Sequence, residues 1–143
     1  MMRERFVILV VEDEELHRKM LAKVLDVLGY TVMVATSGEG AVELVGRQRP
    51  DLILMDINLP GMDGLAATRM IKGNALTAAI PIIALTALAM VGDQEKMLAA
   101  GCDDYLAKPA LIKPLGAKLG EWLGGGRNKT GQLQAQEGEG ASR

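Results

Sequence analysis

Five times along the chain, a short apolar run of strand length is followed by a segment whose apolar residues recur at helical spacing. Few architectures accept that order. The runs are Phe6–Val11, Thr31–Ala35, Leu52–Met55, Ile82–Leu85 and Tyr105–Ala107. Strands that alternate with helices in this way build a parallel sheet. The middle runs lack polar alternation, as strands covered on both faces must. The expected class is therefore α/β, a doubly wound five-stranded parallel sheet with helices on both faces. In the first helical segment, Leu16, Met20, Val24 and Leu28 form one stripe with Leu21 and Leu25 beside it, and Gly29 stands where a left-handed cap is wanted. The other helices are expected over 38–47, 64–73, 92–100 and 112–123, with Gly73, Gly101, Pro50, Pro81 and Pro114 at their boundaries.

Composition narrows the function classes. At 143 residues the chain amounts to one domain, and 49% hydrophobic with 24% charged residues is ordinary for a globular protein. A net charge of −2 gives no footprint for nucleic acid. Phe6–Val11 is too short for a signal-peptide core or a bilayer span, so a cytoplasmic protein without membrane attachment is expected. Met1, shortly before the first run, reads as an intact N-terminus. Cys102 is the single cysteine and has no partner for a disulfide or a metal site, so it reads as a small buried hydrophobe. His17, alone on a helix, reads as solvated, and the nine methionines mostly as core filler. From Gly124 onward, GGGRNKTGQLQAQEGEGASR carries six of the 17 glycines and too little apolar surface to order itself. The chain thus divides into a folded unit, 1–123, and a flexible Gly-rich tail or linker, 124–143.

In an open parallel sheet, ligands bind beyond the carboxyl ends of the strands. There the sequence is coherent: the first strand runs into Glu12-Asp13, the third into Asp56-Ile57-Asn58, the fourth into Thr86-Ala87 and the fifth into Lys108-Pro109. Taken singly, each has a plain structural reading. Glu12 and Asp13 could cap and charge-complement the following helix, Asp56 could be a turn residue before Asn58-Leu59-Pro60-Gly61, Thr86 an ordinary helix cap or strand residue, and Lys108 a solvated surface charge. Their placement at four strand ends favours a common crevice. Carboxylates crowded together repel unless a hard cation such as Mg²⁺ takes their oxygens, and acid, hydroxyl and ammonium together suit phosphoryl chemistry.

Four segments carry a family resemblance: VVEDE at 10–14, LILMDINLPGMDG at 52–64, ALTALAM at 84–90 and GCDDYLAKP at 101–109. Over roughly residues 5–123 the chain resembles the receiver domain of two-component response regulators, of the single-domain or hybrid-kinase type. The resemblance implies a flavodoxin-like strand order 2-1-3-4-5. It also implies that Asp56 accepts a phosphoryl group from a histidine kinase or a histidine phosphotransfer protein, as a nucleophile. Asp13, Asp56 and the backbone carbonyl of Asn58 would ligate Mg²⁺, with Glu12 acting through a water. Thr86 and Lys108 would stabilise the phosphoryl oxygens. Lys108-Pro109 would be a cis peptide, and Tyr105 would be the aromatic that turns inward when Thr86 moves.

The resemblance also separates competing functions. A phosphatase using an aspartyl phosphate would carry a general acid at position 58, where this chain has Asn58. Glu12-Asp13-Glu14-Glu15 would repel a cofactor phosphate. What remains is a signalling protein rather than an enzyme, with an interaction module that works without phosphorylation as the alternative. Leu88, two residues after Thr86, is apolar where fast-dephosphorylating relatives carry polar groups, so a long-lived phosphoryl group is expected. The expected partner surface is the face from helix four to helix five, with Leu88, Met90, Val91, Gly116 and Gly120, for a kinase, an effector or a second copy of the chain. Leu115, Leu119 and Trp122 form the stripe of the last helix expected to cover the sheet.

Overall fold

The structure, a computed structural model, describes residues 5–59, 61–87 and 91–124, leaving out the side chain of Val91. In chain order the elements are β1 (Val7–Val11), α1 (Glu15–Leu28), β2 (Thr31–Ala35), α2 (Gly38–Arg47), β3 (Leu52–Asp56), α3 (Gly64–Lys72), β4 (Ile82–Thr86), α4 (Val91–Ala100), β5 (Asp104–Ala107) and α5 (Ile112–Leu123). The five strands form one parallel sheet in the order β2-β1-β3-β4-β5, the flavodoxin-like order the resemblance implied.

Residues that alternate along a strand point to opposite faces of the sheet, and each face has its own core. Leu9, Val11, Ile53, Met55, Ile82 and Ala84 pack under α2, α3 and α4. Ile8, Val10, Leu52, Leu54, Ile83 and Leu85 pack under α1 and α5. Every residue of β3 and β4 is buried, whereas β2 at one edge and β5 at the other are only partly covered. This is why the middle runs read as continuous apolar sequence. Local chemistry sets the helix ends: Ser37 accepts from the Gly40 N–H and Asp63 from the Ala66 N–H, while Gly29 closes α1 at φ 96°. Met1 to Glu4, Pro60, the Leu88 and Met90 positions and the tail from residue 125 lie outside the described residues.

Two helix faces differ from the sequence expectation. In α1 the buried residues are Leu21 and Leu25, with Val24 and Leu28 half-buried, while Leu16 is 66% and Met20 54% exposed. A row spaced by four residues drifts about 40° per step around the axis. The Leu16 end of the stripe has therefore rotated away from the sheet. In α5, Leu115 and Leu119 are buried but Trp122 stands at the rim, 37% exposed. Gly116 is half-buried in a groove beside α1, where a β-carbon would lie 3.3 Å from Leu28 Cδ2. Met55 and Met97 are core residues and Met33 and Met62 partly buried, but Met20 and Met70 are exposed, so filler describes only some of the methionines.

Trp122 has a polar reason to sit where it does. Its indole N–H donates to Asp104 Oδ2 at 2.9 Å, and Lys118 Nζ reaches Asp104 Oδ1 at 2.9 Å, so one carboxylate ties α5 to the start of β5. Burial opposes the charge on Asp104, but the hydrogen bonds from Trp122, Lys118 and the Tyr105 N–H outweigh it and hold the carboxyl below the ordinary aspartate range. A depressed carboxyl stabilises the fold above its unfolded value of about 3.9 and loses that contribution as pH falls through the folded value. Asp104→Asn should therefore cost about 1 kcal/mol at neutral pH. The gap to wild type should close below about pH 3.9. Urea unfolding followed through the single tryptophan at a series of pH values measures both.

Candidate functional site

Three strands end in the charged residues that the sequence singles out. Glu12 follows β1, Asp56 closes β3 and Lys108 follows β5, so the crevice lies at the carboxyl edge of the sheet above β1, β3 and β5. Carboxylate oxygens of Glu12, Asp13 and Asp56 lie within 4.8 Å of one another. Glu12 and Asp56 are buried, at 1% and 2% exposure, and Asp13 is exposed. The plain reading of Glu12 and Asp13 as helix caps does not hold. The N-cap of α1 is Glu14, which makes no side-chain cap, and Glu12 Oε2 instead accepts from the Glu14 N–H at 3.3 Å.

Lys108 Nζ lies 3.1 Å from Asp56 Oδ2 and 3.3 Å from Glu12 Oε1. The second contact is an ion pair without hydrogen-bond geometry, because Glu12 Oε1 is buried with no hydrogen-bond partner. Burial, and after it the charge of Asp56, push the Glu12 carboxyl above its ordinary value, which Lys108 and the Glu14 N–H only partly offset. Burial also works to lower the Lys108 ammonium, but the hydrogen bond and charge of Asp56 and the charge of Glu12 outweigh it and raise that group. One ammonium pairs with two of the three clustered carboxylates. A buried oxygen lacking a hydrogen bond, in a set made only of hard oxygen donors, fits a divalent cation such as Mg²⁺.

The loop after β3 is held close to the site. Asp56 Oδ1 accepts from the Asn58 N–H at 3.0 Å, and the Ile57 N–H bonds to Leu85 O at 3.2 Å. A β-carbon at Gly64 would stand 2.3 Å from Asp56 O and 2.6 Å from Ile57 Cα. Only a residue without a side chain lets α3 begin so near the strand end. Glu39 on α2 accepts from the Met62 N–H at 3.3 Å, a support the sequence reading missed because nothing in the spacing links α2 to this loop.

Thr86 is buried at the end of β4, and its carbonyl accepts from the Lys108 N–H at 2.8 Å, so the two residues are tied through the backbone. The Lys108-Pro109 peptide is cis. Tyr105 is half-buried and packs against the core on the α2–α4 side, and Asn58 is exposed. Cys102 is buried 3.9 Å from Thr68 Oγ1, ahead of β5 and outside the Glu12, Asp13 and Asp56 cluster, and His17 is exposed and paired with Glu14 at 2.6 Å. Beside the carboxylates, and partly lined by Glu12 and Lys108, a groove of about 420 Å³ runs between α1 and the β5–α5 connection, with Met20, Leu21, Pro109 and Ile112 in its walls. Among the described residues, no helix is long and apolar enough to cross a membrane.

Residues 8–119 match the response regulator receiver domain family. The chain is 38% identical over 117 residues to the polar-differentiation response regulator DivK of Brucella anthropi, covering 82% of this chain and 95% of that protein. It is also similar to the receiver domain of a sensor histidine kinase from Pseudomonas aeruginosa PAO1, with 44% identity, a TM-score of 0.79 and coverage of 85% of this chain and 98% of the other. That receiver holds a magnesium ion in its active site cleft. A receiver domain of a signal transduction histidine kinase from Syntrophus aciditrophicus gives 33% identity and a TM-score of 0.78 over 91% of this chain and 98% of the other.

The acidic crowding has a measurable consequence. Removing one like charge should relieve the metal-free protein and weaken its hold on a cation. Asp13→Asn should melt a few degrees above wild type in EDTA and gain less from added Mg²⁺. A lower metal-free melting temperature would contradict the geometry described.

Proposed function

The chain belongs to the response regulator receiver family, whose members are signalling proteins rather than enzymes, and from that premise we propose that it takes a phosphoryl group from a histidine kinase or a histidine phosphotransfer protein onto Asp56. The observation that carries this reading is the buried Asp56 carboxylate in contact with Lys108 and within reach of Glu12 and Asp13. In the transfer, a carboxylate oxygen of Asp56 attacks phosphorus. The P–N bond breaks, and the electron pair leaves with the donor imidazole, which then takes a proton. Lys108 neutralises a phosphoryl oxygen and Thr86 donates its hydroxyl to another. Asp13, Asp56 and the Asn58 carbonyl are the proposed Mg²⁺ ligands, with Glu12 acting through a water. Bound there, the ion supplies positive charge against the phosphoryl oxygens.

Residues 1–123 form the receiver unit in this reading, and 124–143 a tail or linker. Phosphorylation biases Thr86 and Tyr105, and through them the face between α4 and α5, toward a state that an effector or a second copy of the chain distinguishes. The expected location is the cytoplasm. The lifetime argument from Leu88 and the apolar surface argument from Leu88, Met90 and the Val91 side chain lie outside the described residues, while Gly116 and Gly120 line a groove on α5 beside Leu28 and Tyr30.

The donor, in contrast, must reach the crevice itself. The groove beside α1 is continuous with Glu12 and Lys108, and Met20 is exposed on its wall. This supports donor docking there, while the α4–α5 face is left to the effector.

Two measurements test these roles. Incubation with acetyl phosphate and Mg²⁺ should add one hydroxylamine-labile phosphoryl group by intact-protein mass spectrometry, and Asp56→Asn or EDTA should abolish it. Equal labelling of Asp56→Asn would move the phosphoryl site to another residue, and no labelling of wild type would favour the phosphorylation-independent module. Met20→Arg should slow transfer from the cognate phosphohistidine protein by about tenfold or more, as for loss of an interface anchor. Labelling by acetyl phosphate should stay unchanged.

A further inference from the structure

Asp13 is the exposed member of the carboxylate triad, so no packing against a core sets its direction, and repulsion from Glu12 and Asp56 drives it outward. Only Glu12, Asp13 and Glu14 connect β1 to α1. The Glu12 N–H is fixed to Ala35 O on β2 at 3.1 Å, and the Glu14 N–H bonds to Glu12 Oε2. The carbonyls of residues 12 and 13 need a different partner. Arg18, half-buried one turn into α1, supplies it: Nη1 donates to Glu12 O at 3.2 Å and to Asp13 O at 3.1 Å. These oxygens belong to the two peptide planes that flank the Asp13 α-carbon. Fixing both planes fixes where the Asp13 side chain leaves the backbone.

We propose that Arg18 is a positioning residue for the cation site, holding Asp13 against the repulsion of its neighbours so that its carboxylate is already in place when Mg²⁺ binds. The inference rests on the metal reading above and adds the device that keeps the exposed ligand aimed. A guanidinium suits the task because it is planar, always charged and a source of several donors in one fork. Its contacts are made to the loop backbone and leave the carboxylate oxygens free for the cation.

Charge and positioning predict opposite signs, which makes the idea testable. If Arg18 acted only as a cation near the site, removing it would tighten Mg²⁺ binding. If it positions Asp13, removing it should weaken binding by about tenfold, as for other groups that orient metal ligands. The experiment is calorimetric Mg²⁺ titration of wild type, Arg18→Ala, Arg18→Lys, Asp13→Asn and the double variant of Asp13→Asn with Arg18→Ala. Amide exchange of residues 13 and 14 in EDTA is measured alongside. The expected results are a tenfold loss for Arg18→Ala, partial recovery in Arg18→Lys and faster amide exchange in Arg18→Ala. In the Asp13→Asn background, a further loss of less than about threefold is expected, because the two changes act on one ligand. Unchanged or tighter binding by Arg18→Ala, or an equal loss in both backgrounds, overturns the role of Arg18 while leaving the metal site standing. Absence of Mg²⁺ binding by wild type overturns the metal reading and this inference with it.

Discussion

The arrangement depends on an electrostatic conflict at the carboxyl edge of an apolar sheet. Glu12 and Asp56 are almost fully buried, Asp13 stands beside them, and Lys108 is the ammonium that bridges Glu12 and Asp56. Burying like charges together is costly, and unpaired buried charge is costlier still. Such a cluster persists because the surrounding fold is rigid enough to hold it and a ligand can relieve it. Both the cation affinity proposed for the cluster and the nucleophilic character proposed for Asp56 draw on that same stored repulsion.

The rigidity comes from the sheet. β3 and β4 are covered on both faces, so Asp56 and Thr86 end strands that cannot shift without disturbing two cores. The loops then add local restraints of several kinds. Gly64 allows α3 to start against the Asp56 carbonyl, Glu39 holds the Met62 amide, and the Lys108 amide is tied to Thr86. Arg18 does the same for the loop after β1. Each restraint is a hydrogen bond or a close approach worth little by itself. Together they leave the charged side chains few alternatives.

Fold class, strand positions and the charged cluster were legible in the sequence because they follow from periodicity and from what stands just after each apolar run. Glu12, Asp13, Asp56 and Lys108 were found this way, and the strand order came only through the family resemblance. Other features could not be read. Leu16, Met20 and Trp122 are apolar and helically spaced, yet their exposure depends on how α1 and α5 rotate against the sheet, which a row of residues does not specify. The pairing of Asp104 with Trp122 and Lys118, and the reach of Arg18 back to the loop, join residues through side-chain geometry that has no sequence period. Gly116 was legible as a helix interior glycine but not as the seat of Leu28.

The central claim is that Asp56, among the clustered acids, is the residue that carries the phosphoryl group. Borohydride reduction of the phosphorylated protein followed by peptide mapping tests it directly, because reduction converts an aspartyl phosphate to homoserine. The account predicts homoserine at position 56 and nowhere else. Homoserine at position 13, a reduced glutamyl product at position 12, or no reduced residue after phosphoryl uptake would contradict it.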